Sequence, residues 1–247
     1  MERAGGKKSA LITGASSGIG RAIARALAAD GYDLTLVARN PGRLKATAEE
    51  VRDDGLEIED VPGDVTSEDT VKKVIAFHRD RHGSLDLLVN NAGMGVLSPM
   101  EKLAASKMDL QYRLNLRQVA LFYRESIDLL EAAAGERGVA TVVNVSSISG
   151  LLGEKDLSFY AAVKAGVVGL TKSMNAELQG RGIKSCVLCP GFVDTPLSEY
   201  AHHEVGPEKM IQPEDLAQAV RFVAGLSSHC MVPEIDLQRV GDSRQVG

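Results

Sequence analysis

The stretch SALITGASSGIGRAIARAL, residues 9–27, decides the fold. Its opening residues form a short apolar strand, and from residue 18 apolar side chains recur at helical spacing. The turn between them reads G-x-x-x-G-x-G, and glycine permits positive φ and close approach of a ligand to the backbone. Free N–H groups and the positive dipole end of the following helix favour a pyrophosphate. Strand, turn and helix in this order predict a phosphate-binding unit.

The predicted ligand-binding residues of this turn are Gly14, Ser16, Ser17, Gly18, Ile19 and Gly20. Arg21 follows where a kinase-type phosphate loop would carry Gly-Lys-Ser, so that type of loop is excluded. The alternative is a glycine-rich tight turn that holds no ligand.

Strand-like and helix-like segments alternate along the rest of the chain. The predicted strands cover 9–13, 33–38, 57–61, 85–90, 139–147, 182–189 and 231–237, and the last contains a proline that suits a sheet edge. The predicted helices cover 18–29, a segment from about 41, 67–81, 105–133, 158–180 and 213–226. Such alternation predicts an α/β fold, a Rossmann-like doubly wound parallel sheet with helices on both faces. With no linker or repeat to divide it, we expect a single NAD(P)-binding domain over 1–247, with a short substrate lid at about 194–212.

Composition and charge exclude several classes of protein. The net charge of −5 provides no basic face for nucleic acid or an anionic membrane, and no apolar run is long enough to span a bilayer. The opening residues lack the apolar core of a secretory signal, and the three cysteines form no disulfide framework, so we expect a cytoplasmic protein. Cys186 and Cys189 are three apart in a predicted strand and point to opposite faces, so we expect no metal site.

The end of the second strand indicates the cofactor. Dinucleotide folds that bind NAD usually carry a carboxylate there for the ribose 2′-hydroxyl. Here the strand ends Val37-Ala38-Arg39-Asn40, and the Arg39 guanidinium suits a phosphate. We therefore predict NADP(H). Arg43 is a second possible contact, with a solvated helix arginine as the alternative reading.

Tyr160 and Lys164 stand four residues apart in a predicted helix, and Ser147 precedes the tyrosine by thirteen residues. A phenol titrates near pH 10, and an ammonium on the same helix face would lower its pKa. The serine hydroxyl can hold the oxygen of a carbonyl or alcohol. Together the three side chains predict a proton-transfer site for carbonyl and alcohol interconversion. The alternative for the helical pair alone is a packed aromatic ring beside a solvated lysine.

Across nearly its whole length the chain resembles the classical short-chain dehydrogenase/reductase family. The matching stretches are TGASSGIG at 13–20, Asp64-Val65, NNAG at 90–93, Asn115 in RLNL, NVSS ending at Ser147, YAAVK at 160–164 and PGFVDT at 190–195. The resemblance implies that Tyr160 is the catalytic acid in reduction and the base in oxidation. Lys164 would then lower the pKa of the tyrosine and hold the nicotinamide ribose, and Ser147 would position the substrate oxygen. Ser146, one residue earlier in NVSS, is the alternative to Ser147.

The resemblance also implies roles outside this trio. Asn115 would anchor a water that links Lys164 to solvent, or alternatively would bond a backbone group. Asp64 would bind the adenine edge, with the backbone of Val65 beside it. The remaining implied cofactor contacts are Asn91, Ala92 and Gly93 along the adenosine ribose and Pro190, Gly191, Val193 and Thr195 on the nicotinamide side.

The resulting hypothesis is a reversible NADP(H)-dependent reduction of a ketone or aldehyde. One alternative is a cofactor-binding sensor or scaffold without turnover, which would be expected to lack Tyr160 or Lys164. Another is an epimerase or dehydratase for sugar nucleotides, which would need a larger substrate domain after the sixth strand. The C-terminus departs from the ending common in the family, but the long helices still predict a homodimer or homotetramer. The predicted substrate-pocket residues are Met94, Gly95, Val96, Ser149, Leu151, Leu152, Phe192 and Tyr200.

Overall fold

A computed structural model describes residues 6–203 and 205–241. Both ends of the predicted domain, residues 1–5 and 242–247, and Glu204 of the predicted lid lie outside the described residues. The strands are β1 Ser9–Thr13, β2 Asp33–Ala38, β3 Ile58–Pro62, β4 Leu87–Asn90, β5 Ala140–Val145, β6 Ile183–Pro190 and β7 Glu234–Leu237. The helices are α1 Gly18–Ala29, α2 Pro41–Val51, α3 Glu68–His82, α4 Ala105–Tyr112, α5 Gln118–Arg137, α6 Ser158–Leu178 and α7 Pro213–Gly225.

The strands of the described residues form one parallel sheet in the order β3-β2-β1-β4-β5-β6-β7. The chain winds outward in one direction from β1 to β3 and in the other from β4 to β7. Because the loops after β1 and β4 leave in opposite directions, a crevice opens at the carboxyl ends of these two strands. The predicted doubly wound, Rossmann-like single-domain fold is confirmed.

Both faces of the sheet are covered by helices. The two faces of the sheet bury separate hydrophobic cores, as two successive residues of β1 show. Ile12 packs in a core with α1, α2 and α7, whereas Leu11 packs in a core with α3 and α5. Both side chains are fully buried. Strands that are buried on both faces are the reason why apolar runs, and not alternation, marked the sheet in the sequence.

The predicted edge position of the last strand is confirmed, since β7 pairs only with β6 among the described strands. Its proline, Pro233, lies just before the strand and contributes a carbonyl to Val187 N–H at 2.9 Å. The prediction of one continuous helix over 105–133 is wrong. A π-helical turn, Arg113–Arg117, separates α4 from α5, and α5 runs on to Arg137, before Gly138 at φ 82°. Apolar spacing does not reveal a single wide turn, because the helix continues on both sides of it.

No helix within the described residues is both long enough and apolar enough to cross a membrane.

Candidate active site

A cleft of about 620 Å³ lies at the carboxyl ends of the strands, over the crevice between β1 and β4. It extends from the start of α2 at one end to the segment after β6 at the other. This is the position at which doubly wound sheets bind their ligands.

The turn after β1 forms one wall of the cleft and requires glycine. Gly14 and Gly18 have φ of 70° and 50°, in the left-handed region that other residues rarely adopt. A Cβ on Gly14 would lie 2.8 Å from Asn91 Nδ2, and one on Gly18 would lie 2.9 Å from Thr195 Cγ2. The Ser17 side chain makes no capping hydrogen bond, and the first turn of α1 contains no acidic residue. The amide groups at this helix end are thus free of a competing protein anion, which fits a pyrophosphate.

Gly20 has a packing role and does not line the cleft. A Cβ at this position would lie only 2.3 Å from the carbonyl oxygen of Gly14, so the third glycine lets helix α1 approach the turn. Asn91 joins the turn to β4, because its Nδ2 donates to the Thr13 carbonyl at 3.0 Å and to the Gly14 carbonyl at 3.3 Å. Thr13 Oγ1 in turn accepts from the N–H groups of Asn91 and Ala92, both at 3.0 Å. Asn91 therefore holds the phosphate turn in place and also borders the cleft.

The end of the cleft beside β2 is cationic. Arg39 and Arg43 both line it, and no ion pair to either is found within residues 6–203 and 205–241. Asn40 between them caps α2, its Oδ1 accepting from the Arg43 N–H at 2.9 Å. Two guanidinium groups without a carboxylate beside them fit a phosphate on the ribose. Asp64 does not line the cleft, although its neighbours Gly63 and Val65 do. The Asp64 carboxylate is turned to its own loop, where its Oδ1 accepts a hydrogen bond from the Thr66 N–H at 3.0 Å.

Ser147, Tyr160 and Lys164 meet deeper in the cleft. Tyr160 and Lys164 lie on the first two turns of α6, and Lys164 Nζ is 5.7 Å from the centre of the tyrosine ring. The ammonium donates to the Val145 carbonyl at 2.9 Å, at the end of β5. Ser147 lies in the loop after β5, close enough to Tyr160 to lower the pKa of its phenol. The strand end and the helix start thus bring the predicted trio together.

Burial sets the protonation of this pair. It raises the pKa of Tyr160 to about 12, and the nearby Ser147 hydroxyl opposes that rise. It also lowers the pKa of Lys164 from 10.5 to about 8, because this residue is only 4 % exposed. Lys164 is not among the groups that shift the pKa of Tyr160, so the expected lowering of that pKa by the lysine is not seen in this structure. At neutral pH the site therefore presents a protonated phenol beside an ammonium.

The neighbouring serines differ in their contacts. Ser146 Oγ donates to the backbone carbonyl of Lys164 at 2.8 Å and is buried. Ser147 Oγ donates to Ser149 Oγ at 3.2 Å and accepts from the Ser149 N–H at the same distance. Ser146 Oγ is bonded to a backbone carbonyl of α6, whereas Ser147 is the serine that influences the pKa of Tyr160, so these observations favour Ser147 over Ser146 as the hydroxyl that meets a substrate oxygen.

Asn115 lies behind the cleft and not on its surface. It stands in the π-helical turn, 1 % exposed, and its side chain bonds the backbone of Met94 and Gln111. A Cβ on Gly93 would lie 2.9 Å from Asn115 Oδ1 and 3.4 Å from Lys164 Nζ, so glycine is required between them.

The segment after β6 closes the far end. Gly191 N–H donates to the Leu237 carbonyl at 2.9 Å, which fixes the start of the segment to β7. Val193 forms a parallel bridge with Ile211, so the intervening residues leave and return at one point. Thr195 contacts the phosphate turn through the close approach to Gly18 and hydrogen-bonds Ser198 at 3.2 Å.

Comparison with known proteins agrees with this arrangement. A profile of the family described as short chain dehydrogenase matches residues 8–206. The chain belongs to the short-chain dehydrogenase family. An uncharacterized oxidoreductase of Staphylococcus aureus (strain MW2) is 31% identical over 234 residues, which cover 94% of this chain and 97% of the relative.

Two solved structures of the short-chain dehydrogenase fold are similar over nearly the whole chain. An alcohol dehydrogenase from the archaeon Thermococcus sibiricus, complexed with 5-hydroxy-NADP, has a TM-score of 0.86 at 28% identity and covers 97% of this chain and 100% of its own. A variant of actinorhodin polyketide ketoreductase with NADPH has a TM-score of 0.85 at 30% identity, with 94% and 96% covered.

Most of the predicted site residues of this short-chain dehydrogenase line the cleft. Those that line it are Gly14, Ser16, Ser17, Gly18, Ile19, Arg39, Val65, Asn91, Ala92, Gly93, Ser147, Tyr160, Lys164, Pro190, Gly191, Val193 and Thr195. Those that do not are Gly20, Asp64 and Asn115. No group of three or more His, Cys, Asp or Glu side chains in the described part of the chain is arranged to hold a metal ion.

The substrate side was predicted less completely. Of the pocket residues expected there, Met94, Gly95, Ser149, Phe192 and Tyr200 line the cleft, and Val96, Leu151 and Leu152 do not. Sequence reasoning missed Leu97, Glu154, Leu157 and Leu197. They lie in loops between elements, where no periodicity indicates direction. For Glu154 and Leu157 the one available signal was their position between the end of β5 and the helix carrying Tyr160.

Proposed function

We propose that this short-chain dehydrogenase is an NADP(H)-dependent oxidoreductase that interconverts a ketone or aldehyde with the corresponding alcohol. The observation that carries the proposal is the arrangement of one cleft. Ser147, Tyr160 and Lys164 meet at one end, and Arg39 and Arg43 stand without carboxylate partners at the other.

The proton-transfer groups are poised for reduction. With its pKa raised to about 12, Tyr160 keeps its proton at neutral pH and can donate it to a carbonyl oxygen as that oxygen gains negative charge. Ser147 holds the same oxygen by a hydrogen bond. Lys164 stabilises the phenolate that is left and holds the ribose of the cofactor near Tyr160. When bound, the nicotinamide supplies or accepts the hydride.

The same chain fits NADP(H) along the cleft. The amide groups of the turn at Gly18 would hold the pyrophosphate, and Arg39, with Arg43 beside it, would hold the ribose phosphate. The structural neighbours with 5-hydroxy-NADP and NADPH support this choice of cofactor. Pro190, Gly191 and Thr195 would border the nicotinamide, under the proposed lid at about 194–212.

The experiment that tests the proposal follows NADPH absorbance with a panel of ketones, aldehydes, quinones and acyl-thioester ketones. We expect loss of absorbance with one class of compound. Tyr160→Phe should abolish it while NADPH binding, followed by fluorescence, stays within about threefold, since only a hydroxyl is removed. Tyr112→Phe, at an exposed ring outside the cleft, is the matched control and should retain full rate.

A Tyr160→Phe variant with near-wild-type rate would refute the role of the tyrosine. Tight NADPH binding without turnover of any compound would instead favour the sensor or scaffold alternative. The proposed cytoplasmic location and the homodimer or homotetramer rest on sequence alone, and light scattering at several concentrations tests the assembly.

A further inference from the structure

Three loops meet around Tyr160 at the substrate end of the cleft, and each contributes a leucine. Leu97 belongs to the loop after β4, Leu157 to the end of the loop after β5, and Leu197 to the segment after β6. The first loop lies against the tyrosine ring, since a Cβ on Gly95 would be 3.7 Å from Tyr160 Cε2. Leu157 is the residue that caps the start of α6, three residues before Tyr160.

The segment after β6 adds two aromatic rings to this end. Phe192 and Tyr200 form an edge-to-face pair with ring centres 6.4 Å apart, and both line the cleft. Tyr200 lies near enough to Tyr160 to influence the pKa of its phenol. Leu197 stands between the two rings in the chain and also lines the cleft. The apolar side chains of this segment therefore border the same space as those of the other two loops.

A backbone hydrogen bond holds the first two loops together. The Ser98 N–H donates to the Asp156 carbonyl at 2.8 Å. Each of these residues is next in sequence to a leucine that lines the cleft, Ser98 to Leu97 and Asp156 to Leu157. Asp156 has φ of 62°, in the left-handed region that aspartate tolerates better than most residues. The bond therefore fixes the two leucines relative to each other.

Polar side chains at this end are bonded to the protein itself. Ser149 Oγ donates to the Glu154 carboxylate, and Ser198 Oγ donates to the Val193 carbonyl. The Lys164 ammonium donates to a backbone carbonyl of β5 at 2.9 Å. A polar group that already has a partner in the protein adds less to the binding of a polar substrate, because one hydrogen bond must be exchanged for another.

The apolar side chains around the mouth of the cleft are left largely in contact with water. Leu97 is 56 % exposed, Leu197 is 51 % exposed and Tyr200 is 49 % exposed. Exposed apolar side chains that gather around a groove are typical of a binding surface. An apolar group attached to the substrate carbonyl would cover them, whereas a hydroxylated or charged group would not gain from doing so.

We propose that the substrate carbonyl carries an apolar chain or ring, which packs against Leu97, Leu157 and Leu197. The inference rests on the proposed oxidoreductase activity and adds the chemical class of its substrate. The gain comes from apolar area removed from water, which corresponds to about fourfold in affinity for each methylene that is fully buried.

The test uses 2-butanone, 2-hexanone and 2-octanone, which differ only in the length of the apolar chain. We expect kcat/KM with NADPH to rise by about two- to fourfold for each added methylene, as for partial to full burial. 8-Hydroxy-2-octanone has a polar group at the end of the same chain, and its kcat/KM should be about tenfold below that of 2-octanone.

Leu97→Asn and Leu197→Asn, combined in one variant, remove apolar surface with little change of shape. Both positions are about half exposed, so the fold should tolerate the two amides. The slope of log kcat/KM against chain length should fall to half of the wild-type slope or less. Met100→Gln is the matched control and should keep the wild-type slope, because Met100 is 49 % exposed in the same loop and does not line the cleft. Equal kcat/KM for the three ketones in the wild-type protein, or an unchanged slope in the double variant, would overturn the proposal.

A second copy of this chain is the other occupant that the exposed leucines could contact. Light scattering of the wild-type protein and the double variant distinguishes the two cases. A smaller assembly in the variant, with an unchanged dependence on chain length, would assign the leucines to a contact between copies and would overturn the proposal.

Failure of the activity is distinguishable from failure of the apolar site. If NADPH is oxidised with none of these ketones, their affinities for the protein with NADP⁺ are measured by ligand-observed NMR, which detects weak binding. Affinity that rises with chain length in the wild-type protein, and rises less in the double variant, supports the apolar site independently of turnover. Equal affinities, or no binding, contradict it whether or not NADPH is oxidised with other carbonyl compounds.

Discussion

The Asn115 side chain holds both backbone polar groups of Met94. Its Oδ1 accepts from the Met94 N–H at 3.0 Å, and its Nδ2 donates to the Met94 carbonyl at 2.9 Å and to the Gln111 carbonyl at 3.0 Å. The loop after β4, which forms the floor of the cleft beside Gly93, is therefore fixed to the π-helical turn. In this structure the side chain of Asn115 acts as a clamp, and its role in anchoring a water that serves Lys164 stays a prediction.

Replacement of Asn115 by alanine should lower stability as well as activity. The Met94 N–H and carbonyl would lose their partners in a partly buried loop, at a cost of about 1–3 kcal/mol. Urea unfolding followed by circular dichroism measures this free energy, and NADPH oxidation measures the rate. An unchanged free energy of unfolding with a reduced rate would instead assign the side chain to proton transfer.

The clamp shows what a sequence can and cannot indicate. The glycine turn, the strand ends and the spacing of Tyr160 from Ser147 are local patterns, and the fold brings them together because parallel strands all end at one edge of the sheet. The π-helical turn at Asn115 was missed because apolar spacing does not reveal it and because the bonds that Asn115 makes there join it to Met94, which is distant in sequence. Glu154 was missed for a related reason, since its direction depends on how a loop folds over Ser149.

Alanine substitutions of the two serines after β5, Ser146 and Ser147, should differ in their effect on kcat. Ser147→Ala removes the hydroxyl that would hold the substrate oxygen, and we expect kcat to fall by about 100-fold, as for loss of one oxyanion donor. Ser146→Ala removes a bond to a backbone carbonyl of α6 and should change kcat by less than about tenfold. Steady-state NADPH oxidation by both variants shows which serine holds the substrate oxygen. A larger loss of kcat in the Ser146 variant would assign this role to Ser146 instead of Ser147.

Replacement of Arg39 by glutamine should change the choice of cofactor. Loss of a charged hydrogen bond to the ribose phosphate costs about 1.5–3 kcal/mol, so KM for NADPH should rise by roughly 10- to 100-fold and KM for NADH should change little. Arg52→Gln removes an equal charge from an exposed position at the end of α2, outside the cleft, and serves as the control. Equal KM values for NADH and NADPH in the wild-type protein would refute the predicted preference.

The pH dependence of reduction should follow Lys164. Its pKa is lowered to about 8 by burial, whereas that of Tyr160 is raised to about 12, so the lysine loses its proton first as the pH rises. The ammonium that stabilises the phenolate is then lost, and kcat for reduction should be level below pH 7 and decline above about pH 8. Initial rates at saturating NADPH from pH 6 to 10 measure the profile. A level profile up to pH 10 would contradict the lowered pKa.

His78, on helix α3 beside β2, should make the stability of the fold sensitive to acid. Its ring is fully buried on α3, with Nδ1 at 2.8 Å from Thr35 Oγ1 and Nε2 at 3.2 Å from the Ser84 carbonyl. This arrangement suits the neutral ring, and burial, together with the nearby His82, lowers the pKa of His78 from 6.5 to about 3. Below pH 6.5 the unfolded chain binds a proton that the folded chain excludes. The contribution of His78 to stability is therefore complete above about pH 6.5 and declines as the pH falls towards about 3, by at most about 1.4 kcal/mol per pH unit.

Urea unfolding measures the free energy of unfolding at each pH between 4 and 7. A plot of this free energy against pH should have a shallower slope for His78→Gln than for the wild-type protein, although the variant is less stable at pH 7. The control His229→Gln, at an exposed position, should keep the wild-type slope. Equal slopes for wild type and His78→Gln would show that the buried ring takes up its proton as readily when folded as when unfolded.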